Sequence, residues 1–232
     1  MERARRFCRC LFHRVYHPYA LRQIAKPLTR LRGRTLLTDP EVFHPVCFLS
    51  TPVFLDYLST VAVEGKRLLD MGTGSGTIGI FAAGRGARVT ACDINPRAVA
   101  LAGENARRND VEMEVLASDL FSALAGRSFD LICFNLPFYA GMPRSVFEHA
   151  LYGGTNFETI RTFADGCRRA LAPGGTVAVI FSEDSGPDRM MSLFTEAGFV
   201  ATDQRTARRY FERFHMLRLQ LLPSPKPAEQ HG

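Results

Sequence analysis

Apolar positions along the chain fall into two rhythms. Near-continuous runs at 67–70, 87–93, 113–117, 129–135 and 175–182 predict strands buried on both faces. Stretches at 76–84, 96–109, 156–171 and 187–197 carry helical spacing and predict the connecting helices. Alternation of this kind predicts an α/β chain whose mostly parallel sheet is covered by helices on both faces. Phe199–Thr202 and Arg213–Leu222 are strand-like with no helix between them, which predicts an antiparallel C-terminal hairpin and brings the sheet to seven strands.

Upstream of that body, Ser50-Thr51-Pro52 opens a helix through Val53, Phe54, Leu55 and Leu58. Ser50 or Thr51 is its expected cap, and its end is expected near Glu64-Gly65. Leu21, Ile24, Leu28 and Leu31 are spaced as a helix face, broken at His17-Pro18 and Lys26-Pro27 and stopped at Gly33. Residues 34–47 hold a turn signal, Asp39-Pro40, between short apolar pieces and predict a small hairpin there. The organisation expected is a basic helical extension over 1–45, a body over 46–222, and a proline-bearing disordered tail over 223–232.

Charge sharpens this division. Residues 1–34 hold ten arginines and lysines against the single acid Glu2, whereas the rest of the chain holds 19 basic and 22 acidic residues. An anionic partner such as nucleic acid suits that basic arm; a solvated helix face or an organelle leader suits it equally. Arg9, His13 and Arg14 interrupt any secretory core, and no apolar stretch reaches membrane-span length. Cys92, Cys133 and Cys167 lie in apolar segments and predict reduced, buried thiols in a cytoplasmic protein. Cys8, Cys10, His13 and His17 supply four potential zinc ligands, but Cys-x-Cys is tight for a single helix and no knuckle glycines flank it, so a basic amphipathic helix is favoured over a metal there.

The chemistry centres on Lys66 to Phe81, where an apolar run ends in Asp70 and enters Gly72-Thr73-Gly74-Ser75-Gly76. A strand, a glycine turn and a helix N-terminus form a nucleotide-binding arrangement, and Gly74, Gly76 and Gly79 even satisfy the dinucleotide spacing. The acids at successive strand ends oppose a dinucleotide. Asp70 suits a cationic ammonium, Asp93 suits ribose hydroxyls, and Asp119 suits an adenine amine; together they would repel a pyrophosphate.

Leu69-Asp70-Met71-Gly72-Thr73-Gly74-Ser75-Gly76, with Asp93-Ile94-Asn95-Pro96 and Asp119, resembles the S-adenosylmethionine site of class I methyltransferases, over roughly residues 45–222. The resemblance implies a Rossmann-like fold and S-adenosylmethionine as cofactor. It implies a cofactor site of Thr51, Asp70, Gly72, Thr73, Gly74, Gly76, Asp93, Ile94, Asp119, Leu120 and Asn135, with Gly72 and Gly74 beside the methionine portion and Ile94 against the adenine.

Asn135-Leu136-Pro137-Phe138 is similar to the (Asp/Asn)-Pro-Pro-(Tyr/Phe) signature of enzymes that methylate planar NH2 nitrogens. Such a nitrogen is a poor nucleophile. The Asn135 oxygen and the carbonyl of residue 136 can hold its two N–H groups for in-line attack, with Phe138 offering a flat face and no metal required. Leu136 departs from the pattern where proline is expected. His149-Ala150-Leu151-Tyr152-Gly153-Gly154, a helix capped by Thr155 and Glu158, and Thr51 to Asp56 bring the resemblance closest to the release-factor glutamine (HemK-like) and adenine-N6 group. The acidic pair that usually precedes the threonine is replaced by Phe48-Leu49-Ser50. The expected function is N-methylation of a protein glutamine or a nucleobase amine. A small-molecule acceptor, an inactive binding module and an NAD-dependent oxidoreductase remain as alternatives.

Overall fold

The computed structural model describes residues 26–210 and 212–222; the predicted helix before Lys26, the Cys8–His17 constellation and the tail from Pro223 lie outside them. Its centre is a seven-stranded sheet of order β5-β4-β3-β6-β7-β9-β8. The strands are β3 (Arg67–Met71), β4 (Arg88–Asp93), β5 (Glu114–Ala117), β6 (Phe129–Asn135), β7 (Leu171–Ser182), β8 (Phe199–Arg209) and β9 (Glu212–Leu221). β3 to β7 run parallel, while β9 pairs antiparallel with β7 and with β8. Five helices, α1 (Ser50–Leu58), α2 (Thr77–Ala83), α3 (Pro96–Arg108), α4 (Glu158–Ala170) and α5 (Pro187–Glu196), cover the sheet among the described residues.

The apolar runs explain the two cores. β6 alternates its side chains between faces, so Ile132 and Phe134 pack with Phe163 of α4 and Phe194 of α5, while Leu131 and Cys133 pack with Phe54 of α1 and Ile78 of α2. Cys92, Cys133 and Cys167 are free thiols buried in these layers.

Six expectations change. Leu28–Leu31 is a strand, β1, paired antiparallel with β2 (Arg34–Leu37), and not the end of a helix. Pro27 cannot donate to a helical ladder, and Arg32 and Gly33 both take positive φ, 50° and 77°, as a tight hairpin turn requires. The hairpin therefore turns at Arg32-Gly33, not at Asp39-Pro40. Two asparagines of α3 fasten it: the Leu37 N–H donates to Asn105 Oδ1 at 2.6 Å, and Asn109 Nδ2 donates to the Thr35 carbonyl at 3.0 Å.

α1 stops at Leu58 rather than near Gly65, because the Ser59 and Thr60 hydroxyls take the carbonyls of Asp56 and Tyr57. Leu49 occupies its cap position, with Ser50 and Thr51 buried inside the first turn. At α4, Phe157 stands at the cap in a left-handed conformation with no side-chain cap, and Glu158 instead accepts the Asn156 N–H at 3.0 Å. β8 runs seven residues beyond its predicted end. Its polar side chains suit a sheet edge, where strand pairing needs no apolar face.

Candidate active site

The carboxyl ends of β3, β4, β5 and β6 open onto one cavity of about 330 Å³, the place where parallel α/β sheets bind ligands. β3 leads into the turn, where Gly72, Gly74 and Gly76 have φ of 61°, 55° and 83°. A Cβ on Gly72 would stand 2.7 Å from the Phe134 ring, so this position admits no side chain on two grounds. Gly76 lets α3 approach, since a Cβ there would meet the Ala102 backbone at 3.1 Å.

Asp70 lies deeper than expected. It is fully buried, and its Oδ2 accepts from the Thr73 hydroxyl at 2.6 Å and the Gly79 N–H at 2.8 Å, so it braces the turn from behind. Asp70, Thr73 and Gly76 do not line the cavity, and neither does Thr51 of α1; Gly72 and Gly74 do. Asp70 thus braces the turn through Oδ2, while its Oδ1 is buried with no hydrogen-bond partner.

Burial pushes the Asp70 carboxyl up to about 7, against the two hydrogen bonds that favour its anion. A carboxyl raised in the folded state stabilises most below its unfolded pKa and loses that contribution as pH rises toward 7. From 3.8 to about 7 this amounts to a loss on the order of 4 kcal/mol. Denaturant unfolding between pH 4 and pH 8 should show this slope in the native protein, and Asp70→Asn should flatten it.

Asp93 ends β4 in the cavity wall. Its two oxygens accept the Gly74 N–H at 2.8 Å and the Asn95 N–H at 2.9 Å, holding the glycine turn against the start of α3. Burial raises its pKa, opposed by those hydrogen bonds. Ile94, 41% exposed, lies beside it, and Ser118, Asp119 and Leu120 close the next wall after β5. Leu120 takes a φ of 46°, and Ser118 Oγ donates to its carbonyl at 2.7 Å.

Three walls escape the sequence reading. Glu41, Val42 and Phe43 pass over the glycine turn, tied down where Asn95 Nδ2 donates to the Glu41 carbonyl at 2.9 Å. Val146, Phe147, His149 and Ala150 come from a 3-10 turn, Phe147–Ala150, in the loop after β6. Glu158, Thr159 and Thr162 come from α4. The Asp39-Pro40 turn and the Ala-Leu-x-Gly-Gly segment signalled that these stretches mattered, but not what they face. Gly153 shows why that segment needs glycine: a Cβ would stand 2.5 Å from the Pro137 carbonyl.

Asn135, last in β6, lines the cavity together with Pro137. Its Nδ2 donates to Ser50 Oγ at 3.0 Å, and its Oδ1 is buried with no hydrogen-bond partner. The Leu136 N–H donates to the Ile180 carbonyl at 3.1 Å and its side chain sits in the core, 1% exposed. A proline there would forfeit that bond, which accounts for the departure from the Pro-Pro pattern. Neither the Leu136 side chain nor Phe138 lines the cavity. Phe138 packs against Tyr139 with ring centroids 5.0 Å apart.

Four carboxylates, Glu41, Asp93, Asp119 and Glu158, line this cavity. Such a lining favours a cationic ligand and opposes the phosphates of a dinucleotide. A larger hollow of about 1560 Å³ lies at the amino ends of the same strands, and two of its arginines are held in ion pairs, Arg67 with Asp130 and Arg127 with Glu114.

Residues 33–207 match the family model described as the methyltransferase small domain. Among curated proteins, one from Methanocaldococcus jannaschii, provisionally named a protein N5-glutamine methyltransferase, is 33% identical over 74% of this chain and 88% of its own. The release factor glutamine methyltransferase of Salmonella typhimurium is 29% identical over 82% of this chain and 73% of its own. Among solved structures, the Thermus thermophilus 16S rRNA N2 G1207 methyltransferase, in complex with AdoMet and guanosine, superposes with a TM-score of 0.63 at 21% identity, over 82% of this chain and 49% of that one. No helix among the described residues is long and apolar enough to cross a membrane.

Proposed function

This chain belongs to the methyltransferase small domain family and is an S-adenosylmethionine-dependent methyltransferase, and on that premise we propose that it methylates a planar amide nitrogen, that of a protein glutamine side chain. The observation that carries the reading is the Asn135 Oδ1 atom, a buried acceptor left without a partner at the cavity wall. A buried acceptor without a donor costs on the order of 1–3 kcal/mol, a penalty that an arriving N–H group relieves. The glutamine-directed relatives support the amide over other NH2 groups.

The cofactor supplies an electrophilic methyl group on a sulfonium. Asp93 keeps lone pairs for ribose hydroxyls beyond its two backbone bonds, Ile94 offers an apolar face for the base, and Asp119 lies within reach of an exocyclic amine. Gly72 and Gly74 let the backbone approach the amino-acid portion closely. At the acceptor, Asn135 Oδ1 and the Leu136 carbonyl would each take one N–H and so orient the nitrogen lone pair for transfer; a sulfonium donor would supply the methyl group, its carbon–sulfur bond breaking to leave a neutral thioether. The surplus proton leaves to water once the nitrogen has become tetrahedral, so no strong base is needed. A cytoplasmic, translation-associated acceptor accords with these relatives, and the basic residues 1–34 suit contact with an RNA-bearing assembly.

Incubation of the full chain with methyl-labelled S-adenosylmethionine and separated protein, RNA and metabolite fractions tests this. Label is expected on a glutamine side-chain nitrogen in the protein fraction. Label confined to RNA would replace the glutamine with a nucleobase amine, and label confined to metabolites would overturn both.

A further inference from the structure

β8 and β9 continue past the end of the sheet, into a hairpin tip that methyl transfer does not use. β7 stops pairing at Ser182, opposite Phe214, so the rungs Arg208 with Arg213 and Arg209 with Glu212 are held by the hairpin alone. Asn135 pairs with Ile180, Ile180 with Met216, and Met216 with Arg205, which puts the tip at the cavity end of the sheet. Neighbouring strands lie about 4.8 Å apart, so β9 stands roughly 10 Å from β6, on the side away from the glycine turn.

The tip carries the sequence Arg208-Arg209-Tyr210-Phe211-Glu212-Arg213. Arg208 and Arg213 are exposed and stand directly opposite each other. Facing side chains of an antiparallel pair have Cβ atoms about 4.5–5.5 Å apart, and like charges there repel. Arg208 makes no ion pair among the described residues. Arg213 meets Glu183 at 3.6 Å, a carboxylate that His215 Nε2 already approaches at 2.7 Å. An anion laid between the two guanidinium groups relieves their repulsion. On the other face of the hairpin, Arg209 pairs with Asp56 of α1 at 2.6 Å, and the same carboxylate holds Arg32 of the β1–β2 turn. The tip and the end of the basic residues 1–34 therefore adjoin, with one acid between two arginines. Tyr210, at the apex, is 69% exposed.

We propose that this tip is a contact for single-stranded RNA beside the acceptor mouth, with Arg208 and Arg213 on the phosphate backbone and Tyr210 stacked on a neighbouring base. Paired guanidinium groups suit a phosphate, and an exposed ring among arginines suits an unstacked base, which an acidic peptide does not present. The basic residues 1–34 would continue the same track. None of these tip residues lines the catalytic cavity, so the contact does not depend on which group receives the methyl.

Anisotropy of a fluorescein-labelled single-stranded RNA of mixed sequence, titrated with the full-length protein across a salt series, tests this. Replacing Arg208 and Arg213 together with alanine should weaken binding about tenfold and flatten the log–log salt slope by at least about 0.7, the share of one neutralised phosphate. Lysine at both positions should keep the slope. Tyr210→Ala should cost about fivefold or more in affinity with the slope unchanged. S-adenosylmethionine affinity within twofold of the native protein would show that the alanine protein is folded. Should it not fold, Arg208→Glu, a single exposed change, is the second variant, and its expected loss is larger. Unchanged affinity and slope in these variants overturn the contact. Poly-L-glutamate that displaces the RNA at equal charge concentration would overturn RNA as the occupant and assign the tip to an acidic protein segment.

Discussion

Asn135→Ala is expected to lower methyl transfer by roughly 10³-fold while S-adenosylmethionine affinity, read by calorimetry, stays within about threefold. The two effects separate because of where the side chain stands. Asn135 closes β6, one strand beyond the glycine turn, and its amide is anchored away from that turn by Ser50. In the proposed reaction its free oxygen serves the acceptor, where an uncharged amide nitrogen would become tetrahedral and positive as the bond forms. Removing an acceptor that strengthens only as charge develops lowers turnover rather than binding. The fold should survive the change, since Leu136 keeps its backbone bond to Ile180 and the core layers lose no apolar side chain. Turnover within twofold of the native protein would remove Asn135 from the chemistry.

Much of this site was legible in the chain because parallel strands buried on both faces leave unbroken apolar runs, and the residues ending those runs must meet at one edge. Asp93, Asp119 and Asn135 were found that way, and the structure gathers them around one cavity. Asp70 sits differently. β3 continues one residue past it, to Met71, so Asp70 is inside the sheet while Asp93 is the true end of β4. A single residue of strand length decides whether a carboxylate faces a ligand or braces a turn.

The hairpin of β1 and β2 was hidden for a different reason. Leu28 and Leu31, three residues apart, satisfy a helical spacing, whereas in the strand they fall on opposite faces; the hairpin is held by Asn105 and Asn109 some seventy residues away. Asn105 also donates to the Ser75 carbonyl at 2.9 Å, so the same side chain ties the hairpin to the glycine turn. Phe43 was invisible likewise, because the strap that carries it is placed by hydrogen bonds distant in sequence.

Asp93→Ala is expected to weaken S-adenosylmethionine binding by about 100-fold or more, the largest effect on affinity at this site. Each carboxylate oxygen holds one backbone N–H, and a charge-assisted bond of this kind contributes roughly 1.5–3 kcal/mol. Alanine releases Gly74 from the start of α3 and removes the acceptor offered to the ribose in the same step. Asparagine does not rescue it, because one end of its amide would turn an N–H toward a backbone N–H. The native protein should also lose affinity on acidification at a higher pH than an exposed aspartate would require, since burial raises the Asp93 pKa and the protonated group accepts less well. Calorimetric titration of S-adenosylmethionine and of NAD(H) against both proteins settles the assignment. Binding of the dinucleotide by the native protein would contradict the four carboxylates of the cavity, and an unchanged affinity in Asp93→Ala would move the ribose elsewhere.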